Sequence, residues 1–219
     1  MRTLRLKNKK GMTGIETAII VIAFVIAASV FAFAILNMGL LTTNKAQEAI
    51  TSGVGSAQSA MKITSVYALG NGAATTSVAN GIVVIVQPSG TGSTDFNLGK
   101  VSVSYKNDNV AYANVYTVAN FVNSSTFQSS YSSSFSSYAQ GVGTNKTAVL
   151  ELQGNANQLL EQGEAFAVFL NLTNIDNTNG PIGAYKNFAV EIIPSQGAKL
   201  TFSTSMPSAI TPVMILTGA

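Results

Sequence analysis

The sequence predicts an α+β protein, with a long N-terminal hydrophobic α-helix followed by an antiparallel β-sandwich or barrel. Three observations carry this. Residues 17–44 hold no charge, and residues 18–36 are apolar except for Ser29. That run is close to the roughly 20 residues a helix needs to cross a bilayer. Beyond it, Ala46, Ile50, Val54, Ala57 and Met61 recur at three- and four-residue steps, the spacing of an amphipathic helix. After about Gly70 the chain breaks into short apolar runs separated by turn residues, the pattern of antiparallel strands.

The first eleven residues contain Arg2, Arg5, Lys7, Lys9 and Lys10 and no acidic residue. A basic stretch before an apolar one resembles a secretory signal. An ordinary signal, however, has a core of about 7–15 residues and is cut after it. Here the core is longer, and the small residue suited to cleavage, Gly11, lies in front of it. Cutting between Gly11 and Met12 would remove the basic leader and keep the helix. An uncleaved signal anchor would carry the same pattern, its basic flank held on the cytoplasmic side.

Thr13-Gly14-Ile15-Glu16 fits the S/T-x-x-E capping box, which places a helix start at Thr13. The first half of this helix is apolar all round, as expected in lipid or at the centre of a bundle. Alanines four apart, Ala23/Ala27 and Ala28/Ala32, allow close helix approach. The helix is expected to reach about Met61. Strands are expected at residues 81–87, 101–105, 110–118, 147–152, 164–173, 187–193 and 199–204. On the strand at 164–173, Phe166, Val168, Leu170 and Leu172 share one face, as period-two alternation requires. Residues 123–138 are serine-rich and read as an exposed loop.

Composition limits the chemistry. The 219 residues include 12 basic and 9 acidic ones. Five of the basic residues lie in the leader, so the chain without it has seven against nine, a net charge of −2. Nucleic-acid binding, which needs clustered Lys and Arg, is not expected. Charged residues are 10% of the chain, against about 25% in typical soluble domains. Serine, threonine and asparagine supply the polarity instead, a surface suited to acid. There is no cysteine and no histidine, which removes disulfides, thiolate nucleophiles and the commonest general base and metal ligand. No catalytic residue, metal site or cofactor is expected.

Four sets of residues stand out. Lys9, Lys10, Gly11 and Met12 frame the cleavage site. Glu16 is the only charge near the start of the apolar helix, where an ionised carboxylate is costly unless paired. Its other reading is the capping box itself. Asn123, Asn145 and Asn171 begin N-x-[ST] sequons, with Asn171 the least accessible because it ends an apolar strand. Residues 174–180 are Asn- and Asp-rich but fail the EF-hand pattern and read as a turn ending at Gly180-Pro181. Glu161 and Glu164, three apart beside Gly163, read as ordinary surface carboxylates.

The leader, with Gly14-Ile15-Glu16-Thr17-Ala18-Ile19-Ile20, Asn37-Met38-Gly39-Leu40 and Lys45-Ala46, resembles the class III signal and helix of archaeal flagellins (archaellins). These are type IV pilin-like proteins. The resemblance is close over about residues 9–60 and weak afterwards. It implies a cleaved leader at 1–11, a helix over 12–65 and an immunoglobulin-like sandwich over 66–219. It also implies cutting after Gly11 by a prepilin-type signal peptidase, and a membrane span before assembly. Glu16 would meet the new amino group of Met12 on another subunit. A homo-oligomeric helical filament outside the cell would follow, served by the archaellum assembly motor and membrane platform. An archaeal adhesion pilin would share the leader and helix, whereas a monomeric membrane-anchored binding protein would keep the leader and form no filament.

Overall fold

A computed structural model describes residues 14–70, 78–116, 121–122 and 145–218. The leader residues Lys9, Lys10, Gly11 and Met12, the Thr13 cap, Asn123 and the serine-rich stretch lie outside them. The chain divides into two units, residues 1–52 and 53–219.

Helix α1 runs over Gly14–Gln58, 45 residues with no buried side chain. At 1.5 Å per residue it is about 68 Å long. It ends before Met61, where the three- and four-residue spacing had placed it, and well before residue 65. Met61–Gly70 is instead strand β1. The period-two signal there is broken by a register shift between Ile63 and Ser65. Met61 and Ile63 face the core before the shift, and Val66 and Ala68 face it afterwards. An inserted residue of this kind switches the buried face from odd to even positions.

The described residues after α1 include two main sheets. One has the order β12-β1-β2-β9-β7-β6, and the other the order β11-β10-β4-β5. The strands of the first are β1, β2 (Ala79–Pro88), β6 (Phe121–Val122), β7 (Thr147–Gln153), β9 (Ala165–Asn171) and β12 (Val213–Gly218). Those of the second are β4 (Val101–Asn107), β5 (Ala111–Tyr112), β10 (Asn187–Pro194) and β11 (Leu200–Ser205). The short pair β3 (Thr94–Asp95) and β8 (Leu159–Leu160) stands apart. Pairing is antiparallel except between β6 and β7. The expected antiparallel two-sheet architecture is present, behind the expected long helix.

One core joins the sheets. Val66, Ile82, Val84, Phe166, Val168 and Leu170 from the larger sheet meet Val103, Tyr105, Phe188, Val190 and Ile192 from the smaller. Phe166 sits edge-on to Phe96 and Phe121, with ring centroids 5.4 and 5.5 Å apart, a favoured aromatic geometry. The alternation expected on β9 holds, but its other face is buried as well. Leu69, Val83, Ala148, Leu150, Ala167 and Phe169 form a second cluster there. The smaller sheet follows the simpler rule, with Ser102, Ser104, Thr201 and Ser203 on its uncovered face.

Two expected strands are shorter than the pattern suggested. Of the described residues 110–116, only Ala111–Tyr112 is strand. There the Asn114 side-chain oxygen accepts from the Val103 and Tyr116 amides, turning Val115 and Tyr116 inward. Likewise β9 stops at Asn171, whose side chain caps the one-turn helix α2 (Leu172–Ile175). This satisfies a helix-start amide that would otherwise lack a partner.

Candidate functional site

The feature that marks this chain is α1. Its window of highest mean hydropathy, 3.1, is wholly exposed, with Ile19, Phe24, Phe31 and Leu36 between 62% and 74% accessible. A soluble monomer does not hold a stripe-free apolar rod in water, so such a helix belongs in lipid or against other helices. The four hydroxyl groups within residues 17–44 are already satisfied. Thr17 donates to the Gly14 carbonyl, Ser29 to Ile26, Thr42 to Met38 and Thr43 to Gly39, at 2.7 to 2.9 Å. Bonding back onto the same helix removes the cost of burying those groups. Lys45 and Glu48 pair at 2.9 Å on an exposed face, a contact worth little in water. Glu16 lies exposed in the first described turn, where a negative charge is favoured by the helix dipole.

The last turn of α1 belongs to the same unit as the sandwich and is bound into it. The carbonyls at a helix C-terminus have no partner within the helix. Here Gly92 N–H donates to the Gln58 carbonyl at 3.0 Å, and the Ser89 amide to the Ala60 carbonyl at 2.7 Å. The Thr94 hydroxyl donates to the Ser59 carbonyl at 3.2 Å. This approach requires glycine: a Cβ on Gly90 would lie 2.1 Å from the Gln58 carbonyl oxygen. Contact between Gly90 and Gln58 is set by tertiary structure, and no local sequence pattern marks it.

Across the sandwich, buried polar groups pin the loops. The Tyr105 hydroxyl donates to the Gly180 carbonyl at 2.7 Å, and Asn107 Nδ2 to the Asn179 carbonyl at 2.7 Å. Burial pushes the Tyr105 hydroxyl well above its ordinary range. Residues 174–180 make the expected turn at Gly180, preceded by α2. Asp176 there accepts from the Thr178 and Asn179 amides and the Tyr112 hydroxyl. These bonds, led by the Asn179 amide, hold its carboxyl down at about 2.

Glu164 departs from its surface reading. It is 8% exposed, and its carboxylate accepts from the Asn155 and Glu161 amides at 3.1 and 2.9 Å. Glu161 itself accepts from Asn155 Nδ2. Glu151, fully buried, accepts from the Ala156 amide at 2.8 Å. These carboxylates brace the loop between β7 and β8. Of the described sequon residues, Asn145 is half-buried and Asn171 is buried with its side chain engaged in the α2 cap.

A family model for archaeal-type flagellins matches residues 11–204. Over 211 residues the chain is 34% identical to probable flagellin 1 of Aeropyrum pernix, covering 94% of this chain and 96% of that protein. Probable flagellin 1 of Archaeoglobus fulgidus is 28% identical over 214 residues, covering 96% and 97%. The chain belongs to the archaeal-type flagellin family. In fold it is similar to the archaeal flagellum of Methanospirillum hungatei strain JF1, with TM-score 0.62 and 22% identity, over 94% of this chain and 100% of that one. The archaeal flagellin FlaB1 of Methanocaldococcus jannaschii is also similar, with TM-score 0.58 and 15% identity, over 71% and 95%.

Proposed function

We infer that this chain is a structural subunit of an archaeal flagellum (archaellum) filament, lying outside the cell and serving swimming motility. The observation that carries this is a 45-residue helix with no buried residue in a chain that belongs to the flagellin family. Such a helix can span lipid as a membrane-inserted precursor. It can then pack against copies of itself, so the same apolar surface stays out of water in both states.

The finer steps rest on the sequence. A prepilin-type peptidase would cut between Gly11 and Met12, with Lys9 and Lys10 preceding the cut. Glu16 would then pair with the amino group of Met12 on a neighbouring subunit. An assembly motor and membrane platform would draw subunits from the membrane into the filament. Domain limits of 1–11 for the leader, the helix up to Gln58 and the sandwich from Met61 fit this order. The role is passive: with no histidine or cysteine in the chain, no enzymatic step is assigned to it. Sugars on Asn123 or Asn145 would solubilise a charge-poor surface.

Deleting the gene tests the function. Lost filaments and lost swimming are expected. Lost surface attachment with swimming retained would instead identify an adhesion pilin.

A further inference from the structure

Strand β12 was not anticipated from the sequence, and it forms one edge of the larger sheet. Ile215 pairs with Tyr67 of β1, Tyr67 with Val83 of β2, Val83 with Phe169 of β9, and Phe169 with Ala148 of β7. Directly paired residues point to the same face of a sheet. This row therefore crosses five strands without a polar residue. Its burial changes along the way: Ala148, Phe169 and Val83 are covered, Tyr67 is half-exposed, and Ile215 is 70% exposed. Beside Ile215, Val213 is 57% exposed. Among the described residues the apolar face thus continues past the point where it is covered, out to the edge strand of the sheet.

Free sheet edges are normally blunted by charge. At the edge strand β11, Lys199 just before the strand pairs with Glu191 of the neighbouring β10 at 3.4 Å. Residues 206–219 hold no charge at all. Single exposed apolar residues need no explanation, but these continue a packed face and lie on the edge strand of the sheet among the described residues.

We propose that the outward face of β12, centred on Val213 and Ile215 with Tyr67 beside them, is a lateral docking surface for the sandwich of a second copy of this chain. Size identifies the occupant. Three side chains fall far short of the roughly 1,200 Å² that a stable free complex buries. The patch can be filled only by a partner already held close, where high effective concentration replaces intrinsic affinity. In a filament held together by α1, that partner is another copy. The inference therefore rests on the filament reading.

The absence of cysteine makes Ile215→Cys a unique reporter in the full chain. Its labelling by a charged maleimide is measured in sheared filaments and in folded subunits released from them by mild detergent. Labelling at least about tenfold slower in filaments is expected, as when the open form is populated a tenth of the time or less. Equal rates would overturn the docking surface while leaving the filament intact. A photo-cross-linker at the same position should join two copies through sandwich peptides, and cross-links only to residues 14–58 or to a different protein would also overturn it. If the unsubstituted chain forms no filaments, the functional reading itself fails, a distinguishable result.

Discussion

The Gly92 amide donates to the carbonyl of Gln58, the last residue of α1, at 3.0 Å. With Gly90 packed against the same carbonyl, this closes the C-terminal end of the helix using backbone from the loop after β2. A filament subunit needs such a joint if load borne by the helix is to reach the sandwich. Gly90→Ala is expected to destabilise the chain by about 1–3 kcal/mol, the usual cost of overpacking a tight site. Gly183, with nothing within 4 Å of an added Cβ, should accept alanine with little change. Thermal denaturation of the two variants checks the contrast.

Asp176 gives a pH signature. Its carboxyl is held at about 2, below the ordinary 3.8, by the amides of Asn179 and Thr178 and the Tyr112 hydroxyl. A depressed folded value means its contribution is fully present above the unfolded value and is lost as pH falls through the folded one. Asp176→Asn should therefore melt below the unsubstituted chain at pH 7. The gap should narrow below about pH 4 and close near pH 2. A gap that is the same at pH 7 and pH 2 would mean the carboxylate charge contributes nothing.

At Asn171 the side chain accepts from the Asn174 amide and caps α2. Asn171→Ala is expected to cost about 1 kcal/mol, typical of losing such a cap. Because that side chain is buried, intact mass of the secreted subunit should show no sugar at this sequon. A glycan mapped to Asn171 would contradict the buried conformation.

Much of the fold could be read from residue chemistry alone, and its failures have local causes. The helix was legible because twenty-odd uncharged residues admit few alternatives. Its end was not, because Val54, Ala57 and Met61 keep helical spacing while the register shift at Ile63 hides the strand that follows. β9 was legible from Phe166, Val168 and Leu170, but not that Ala167 and Phe169 are buried too. Period-two patterns report one face and are silent when both are covered. Glu164 was misread because a carboxylate that serves backbone amides of its own loop looks like any surface glutamate in sequence. The junction at Gly90 and Gln58 joins residues more than thirty apart, a closeness that no local signal carries.

Glu16 bears on assembly. Glu16→Gln should preserve the helix, since glutamine also fits the capping box, yet lower filament yield if its charge pairs with a neighbour's amino terminus. Quantifying sheared filaments from cells expressing the variant checks this. Normal yield would remove charge pairing and leave helix capping as its role.

The most direct test is electron microscopy of filaments sheared from cells, combined with mass spectrometry of the subunit's N-terminus. Filaments built from a chain that begins at Met12 are expected, establishing processing and assembly together. A membrane-bound monomer still beginning at Met1 would contradict the filament function and leave an anchored surface domain.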